Sequence, residues 1–155
     1  MEFLVLSYGY TTLNKFSLML FPKKTKFKKQ HKGKNFKVVN QVFELNRLNF
    51  GLVSLKSISA GRLTAKQIEA MRQSINKIIK RSGRLIIPIF PDSPVSKKPI
   101  EVRMGKGKGN VSHWVYKVKC GTLLCEIETS SIQLGLKALK LAQYRLPLKT
   151  KILFN

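Results

Sequence analysis

The segment from Thr64 to Gly83, TAKQIEAMRQSINKIIKRSG, predicts the central helix of the fold. Thr64 and Gln67 have the spacing of a capping box, in which each side chain bonds a free backbone N–H at the helix start. Lysine and arginine in the last turn are stabilised by the helix dipole, and Gly83 is the predicted end of the helix. Apolar residues recur at helical spacing and predict one buried face: Ile68, Met71, Ile75, Ile78 and Ile79.

Apolar segments that are too short for helices lie on both sides of this helix. Phe50–Ile58 predicts one or two strands, and the Ile-rich Leu85–Phe90 predicts a short buried strand. Pro88 lies inside the second segment and places it at a sheet edge or a bulge, because proline cannot donate to a strand ladder. The proline-rich segment Pro91–Pro99 is predicted to be a loop.

The C-terminal half predicts a hairpin and then a second helix. His113–Lys119 and Leu123–Ile127 are rich in strand formers and flank a turn at Gly121. Capping-box spacing at Ser130 predicts a helix that runs to about Arg145. Strands and helices do not alternate regularly, so we predict an α+β fold. It has an antiparallel or mixed sheet, two main helices packed on the sheet, and a basic N-terminal tail.

The net charge narrows the choice of partner. The chain has 155 residues, with 30 lysines and arginines against 7 acidic residues, for a formal charge of +23. Self-repulsion of that size destabilises a compact state unless a polyanion neutralises it. Nucleic acid is the first predicted partner, an anionic membrane surface the second, and a merely soluble basic protein the remaining alternative. No apolar run approaches the length of a membrane span.

The densest basic stretch lies at residues 22–37, where Phe27, His31 and Phe36 are interleaved among eight lysines. Such a run buries little surface, so we predict that it is extended or disordered without a partner. Phe27 and His31 suit stacking on unpaired bases; the alternative is a solvated charge run with Phe27 as a minor anchor. We predict an N-terminal extension (1–18), a basic RNA-binding tail with a variable segment (19–49), and an α+β RNA-binding domain (50–155).

The run Gly105-Lys106-Gly107-Lys108-Gly109 is the sharpest local motif. Glycines let a backbone approach phosphates closely, and lysines supply point charges. The glycine spacing matches neither a dinucleotide-binding motif nor a P-loop. Arg103 directly before the run favours RNA, because its planar fork suits phosphates and guanine edges. A flexible, solvated hairpin tip is the alternative.

Residues suited to catalysis are few. The carboxylates of the folded region share no motif, and Glu126 and Glu128 are predicted to lie on a solvated strand edge. Cys120 and Cys125 are interpreted as small buried thiols, although a bridge across the turn is conceivable. His113 paired with one of these cysteines would make a small hydrolase, the third functional hypothesis. We predict no enzyme activity, no cofactor and no metal site.

Several segments, read in order, resemble the ribosomal protein L-sixteen family from about Met19 to Phe154. They are Phe21–Gly33, Gly61–Ala70, Phe90–Asp92, Lys98–Pro99, Arg103–Asn110 and Leu146–Lys151. The resemblance implies a structural constituent of the large ribosomal subunit that binds large-subunit rRNA near the peptidyl transferase centre. It also implies the A-site tRNA and neighbouring ribosomal proteins as partners. The peptidyl transferase is RNA, so no catalytic role is implied. A non-ribosomal RNA-binding protein or RNA chaperone is the alternative.

Three features depart from the family pattern. About eighteen residues precede Met19, the segment Asn35–Asn49 is longer and more apolar than usual, and Pro88 replaces a basic residue of bacterial members. Lysine outnumbers arginine 23 to 7, which fits an AT-rich genome. The N-terminal residues lack the arginine-rich pattern of a transit peptide. We therefore predict a ribosome-bound protein of the mitochondrial matrix, with a plastid or bacterial cytoplasm as alternatives.

The predicted RNA-binding residues come from the tail, the glycine–lysine loop, and arginines in or beside the first helix. They are Lys23, Lys24, Lys26, Phe27, Lys28, Lys29, His31, Lys32, Lys34, Arg62, Arg72, Arg81, Arg103, Lys106, Gly107 and Lys108.

Overall fold

The computed structural model describes residues 20–31, 51–80 and 82–154, which form seven strands and two helices. This content confirms the α+β class. Along the chain the elements are β1 (Val53–Ser57), β2 (Gly61–Thr64), α1 (Ala65–Ile79), β3 (Gly83–Ile86), β4 (Ser93–Lys97), β5 (Asn110–Val118), β6 (Leu123–Thr129), α2 (Ile132–Gln143) and β7 (Thr150–Phe154).

The strands form two antiparallel sheets instead of the one sheet that we predicted. One sheet has the order β3-β6-β1-β7 and the other the order β2-β5-β4. The helices pack on each other; α2 also contacts β1, β6 and β7, and α1 contacts β2, β3 and β5. Because α1 touches strands of both sheets, the main core lies around the helix pair and holds the two sheets together.

Helix α1 begins as predicted. The Thr64 backbone N–H donates to Gln67 Oε1 at 2.9 Å, and the Gln67 backbone N–H donates to Thr64 Oγ1 at 3.4 Å, which completes the capping box. The predicted apolar face is also confirmed: four of its five residues are buried and Ile78 is partly buried. The predicted stop is wrong, because Lys80 ends the helix with a φ of 55° and Gly83 already opens β3.

Removing the capping hydroxyl tests how much the start of α1 contributes to stability. We expect Thr64→Ala to lower the free energy of unfolding by about 1 kcal/mol, since the Gln67 N–H loses its acceptor. Thr64→Ser keeps the hydroxyl and should stay within about 0.5 kcal/mol of the wild type. Urea unfolding measures both variants. Equal stability of the alanine and serine variants would contradict a role for the cap.

The predicted hairpin around Gly121 is wrong. β5 and β6 follow each other along the chain but belong to different sheets. The backbone N–H of Gly121 donates to Ser57 O at 2.8 Å, with a φ of 89° at Gly121, so the turn is held by the end of β1. β5 pairs with β2 and β4, and β6 pairs with β1 and β3.

The proline-containing segments also differ from the prediction. β4 lies inside the predicted loop Pro91–Pro99, and it tolerates Pro94 because β4 is an edge strand. β3 spans Gly83–Ile86 and has no fully buried residue, so the predicted buried strand Leu85–Phe90 is wrong in its bounds and its burial. Pro88 lies beyond the strand, and the predicted edge position is correct. Helix α2 has Ser131 as its N-cap, without a side-chain capping bond, and ends at Gln143, so the predicted capping box at Ser130 is wrong.

Candidate nucleic-acid interface

The described part of the tail, residues 20–31, is fixed at both ends. Leu20 packs against the main core. At the other end, Lys29 Nζ donates to the backbone oxygen of Lys108 at 2.7 Å, and Lys108 Nζ donates to the backbone oxygen of Gln30. These reciprocal bonds connect the tail to the loop between β4 and β5. The residues between the anchors form no helix or strand, and their lysine side chains are exposed.

Phe27 does not anchor the tail on the domain. Its side chain is 65% exposed, and Lys26 Nζ lies 5.6 Å from its ring centroid. An exposed aromatic ring beside a cation is available for stacking on an unpaired base.

A cleft of about 290 Å³ lies where the tail meets the three-stranded sheet. We call it the tail–sheet cleft. Its lining comes from the tail, β2, β4, β5 and the loop before β5: Gln30, His31, Arg62, Ser93, Pro94, Val95, Ser96, Lys108, Val115 and Lys117. None of these lining residues is acidic. The fold therefore gathers three predicted RNA-binding residues, His31, Arg62 and Lys108, that are distant in sequence.

Lys117 is a fourth basic group of the cleft, and sequence reasoning missed it. The antiparallel register places Lys117 directly opposite Arg62 on neighbouring strands. Side chains at such positions lie on the same face with Cβ atoms about 5 Å apart, where like charges destabilise a sheet. A phosphate between or above the two side chains would accept charge-assisted hydrogen bonds from both, so the cleft is chemically suited to an anion.

The glycine–lysine loop is open to solvent at its tip. Arg103, Lys106 and Lys108 are exposed, and the backbone has positive φ at Gly105 (101°), Lys106 (52°) and Gly107 (86°). A Cβ on Gly105 or Gly107 would meet nothing within 4 Å. The chain thus needs these glycines for their backbone conformation, and the space beside them is free for a partner.

A different structural constraint requires glycine at position 109. A Cβ there would lie 2.7 Å from the backbone oxygen of Lys97, at the base of the hairpin formed by β4 and β5. Close approach of two protein backbones therefore explains Gly109 without RNA.

The remaining predicted site residues are not part of the cleft. Arg72 donates two hydrogen bonds to Glu69, from Nε at 2.9 Å and from Nη2 at 2.6 Å. The hydrogen bonds from Arg72 lower the pKa of the Glu69 carboxyl against the opposing effect of its partial burial. Lys32, Lys34 and Arg81 lie outside the described residues, as do the extension 1–18 and the variable segment 35–49.

The groups that suggested a hydrolase do not form a site. Cys125 is fully buried, and burial raises the pKa of its thiol to about 12, so it stays protonated and weakly nucleophilic. The half-buried Cys120 donates its thiol hydrogen to the backbone oxygen of Ile58 at 2.7 Å, and both cysteines are free. His113 is exposed on β5. Glu126 is only 2% exposed, so its predicted place on a solvated edge is wrong.

Over the described ranges, no group of three histidine, cysteine or acidic side chains is arranged to hold a metal ion. Within the same ranges, no helix has the length and apolar character needed to cross a membrane.

The model of the family Ribosomal protein L16p/L10e matches residues 22–153. A protein of Psychrobacter cryohalolentis is 49% identical over 134 residues, which cover 86% of this chain and 96% of that protein. A protein of Thioalkalivibrio sulfidiphilus is 50% identical over 133 residues, with 86% and 95% covered. Both are named large ribosomal subunit protein uL16. The matched family consists of structural proteins, which confirms the prediction that this chain is not an enzyme. With most of its length matched, the chain belongs to the Ribosomal protein L16p/L10e family.

Proposed function

We propose that this protein is a structural constituent of the large ribosomal subunit and binds large-subunit rRNA through its tail and the tail–sheet cleft. The observation that carries the proposal is the convergence of His31, Arg62, Lys108 and Lys117 on one cleft. Family membership and the names of the bacterial relatives support the ribosomal setting.

The basic groups of the cleft and of the tail would contact different phosphates of the RNA. A backbone phosphate fits between Arg62 and Lys117, where it would receive charge-assisted hydrogen bonds. The exposed lysines of the tail would neutralise further phosphates along the same RNA, and Phe27 and His31 would stack on unpaired bases. The phosphate contacts do not depend on the base sequence of the RNA; they position the protein on the folded RNA.

The glycine–lysine loop is the part that we propose to approach the peptidyl transferase centre and the A-site tRNA. Its support is the exposure of Arg103 and Lys106 at the tip and the free space beside Gly107. The bonds between Lys108 and the tail join this loop to the cleft, so RNA bound in the cleft would also fix the position of the loop.

The double variant Arg62→Gln/Lys117→Gln tests the cleft. Loss of charge-assisted hydrogen bonds should reduce incorporation into large subunits by about tenfold or more. The stability of the isolated variant separates a lost RNA contact from a lost fold. Incorporation is measured by sedimentation in high salt, and stability by urea unfolding.

Lys66→Gln/Lys77→Gln is the matched control, with the same change of charge on exposed positions of α1. It should incorporate like the wild type. Equal incorporation of the cleft variant and this control would rule out the cleft as an RNA site. A wild-type chain that washes off large subunits in high salt would instead favour an RNA chaperone outside the ribosome.

We further propose that the ribosome in question is mitochondrial, on the strength of the lysine-rich composition. The bacterial relatives keep a bacterial cytoplasm as the alternative, together with a plastid. Cell fractionation followed by detection of the chain in ribosomes of each compartment separates these locations.

A further inference from the structure

Helix α2 has two faces of opposite character. Its inner face is buried against α1 and the four-stranded sheet through small and apolar residues: Gly135, Ala138, Leu139 and Ala142. A Cβ on Gly135 would lie 3.2 Å from Val53 Cγ2, so the helix already packs closely on β1. The other side of α2 consequently faces away from the protein core.

That outer face, which we define as Lys137, Lys140, Leu141, Tyr144 and Arg145, combines positive charge with exposed apolar surface. Lys137, Lys140 and Leu141 are spaced by three or four positions and lie on one side of α2. Tyr144 is the C-cap and keeps a helical backbone, and Arg145 follows it in the turn after the helix. All are exposed, Leu141 by 50% and Tyr144 by 84%. The segment 132–145 contains no aspartate or glutamate.

An ordinary solvated helix face explains only part of this composition. The helix dipole stabilises cations near a helix C-terminus, which accounts for Lys140 and Arg145. It does not account for Lys137 in the middle of α2, or for an aromatic ring left almost wholly in water. Solvated helices usually pair lysine with glutamate at this spacing, and α2 has no such pair.

The end of α2 is held in place by the protein. Gln143 Nε2 donates to the backbone oxygen of Thr150 at 3.0 Å and to its Oγ1 at 3.1 Å, which connects the helix to β7. The Arg145 backbone N–H donates to Ala142 O at 3.0 Å. Tyr144 and Arg145 therefore extend from a rigid support, and little ordering of the backbone is needed when a partner binds.

We propose that the outer face of α2 is a second RNA-contact surface, on which the three cations bind backbone phosphates and Tyr144 stacks on an unpaired base. Cations next to an exposed aromatic ring are the combination that single-stranded or looped RNA requires. No lining residue of the tail–sheet cleft comes from α2, and the two surfaces are built on different sheets. The protein thus connects two separate RNA segments, which goes beyond binding one of them.

The first experiment measures the affinity of the full chain for an RNA hairpin with an unpaired loop, as a function of salt. Lys137→Gln/Lys140→Gln should reduce the slope of log affinity against log salt by about 1.5 units, at roughly 0.7 to 0.9 per phosphate contact. The charge-matched control Lys66→Gln/Lys77→Gln should change the slope by less than half as much. Equal slopes for the two variants would overturn the proposal.

The second experiment isolates the aromatic ring. Tyr144→Ala should weaken binding to the looped RNA by about fivefold or more, and Tyr144→Phe should restore it, because stacking needs the ring and not the hydroxyl. Binding to a fully paired duplex should be the same for both variants. A phenylalanine variant as weak as the alanine variant would show that Tyr144 does not stack.

The third experiment locates the surface in the particle by chemical probing of rRNA. Subunits with Lys137→Gln/Lys140→Gln should expose an RNA segment different from the one exposed by Arg62→Gln/Lys117→Gln. Exposure of the same segment, or contact of this face with an acidic protein and no RNA, would overturn the inference. The two binding experiments need no particle, so they decide the inference even if the proposed ribosomal function fails.

Discussion

Replacement of the tail lysines by glutamine should reduce the salt dependence of RNA binding more than any other change described for this protein. Residues 22–37 contain eight lysines, and each phosphate contact contributes roughly 0.7 to 0.9 to the slope of log affinity against log salt. The slope should therefore fall by up to about 7 units. The five lysines that fall within the described residues are all exposed, so each can reach a phosphate without rearrangement of the core: Lys23, Lys24, Lys26, Lys28 and Lys29.

Lys29 requires a separate control because it also bonds the backbone oxygen of Lys108. A variant that keeps Lys29 and changes the other seven lysines retains this connection between the tail and the loop. If charge dominates, the two variants should differ by about one contact, less than one unit of slope. A much larger difference would show that the tail acts by positioning the loop. An unchanged slope in both variants would exclude the tail as an RNA ligand.

Helix α1 could be predicted because its determinants are local. The capping box at Thr64 and the apolar face of Ile68, Met71 and Ile75 are fixed by residues three or four positions apart, and the structure shows both. The pairing of strands has no comparable local determinant. β5 and β6 contain the residues of a hairpin around Gly121, yet they do not pair with each other: β5 pairs with β2 and β4, and β6 pairs with β1 and β3.

The same limit applies to the candidate site. Arg62 was predicted from its residue type and the family resemblance, and Lys117 was missed, although the two are direct neighbours across β2 and β5. Only the register of that pair places them together, and the pair is separated by more than fifty residues of chain. The strand period of two places Lys117 on the same face as Val115, but it gives no information about which strand lies beside that face.

The outer face of α2 was missed for another reason. This helix was predicted from the capping-box spacing at Ser130, which does not indicate which side of the helix faces the core. A helix of mixed leucine and lysine has no evident exposed face until its packing partners are known. The burial of Gly135 and Ala138 fixes that orientation, and the exposed cations and Tyr144 then follow from the helical spacing.

The last prediction concerns Gly107, where backbone strain and contact with RNA can be separated. Valine at a φ of 86° is strained, which should lower the stability of the isolated chain by about 1–2 kcal/mol. No protein atom lies within 4 Å of the added Cβ, so the protein itself adds no collision at this atom. If RNA occupies that space in the ribosome, overpacking should cost about 1–3 kcal/mol more, a further loss of about fivefold or greater in incorporation or translation.

Gly121→Val is the matched control, because Gly121 has nearly the same φ, 89°, in a turn that we do not assign to RNA. The loss of stability in Gly121→Val includes the backbone strain and any local contact of the valine. The translation defect of this variant is therefore an upper bound for the defect that backbone strain alone causes. As isolated chains, we expect Gly107→Val to be at least as stable as Gly121→Val. In translation, we expect Gly107→Val to be the more defective variant. Two variants with equal defects in translation would mean that the loop requires Gly107 only for its own backbone, as Gly109 is required beside Lys97.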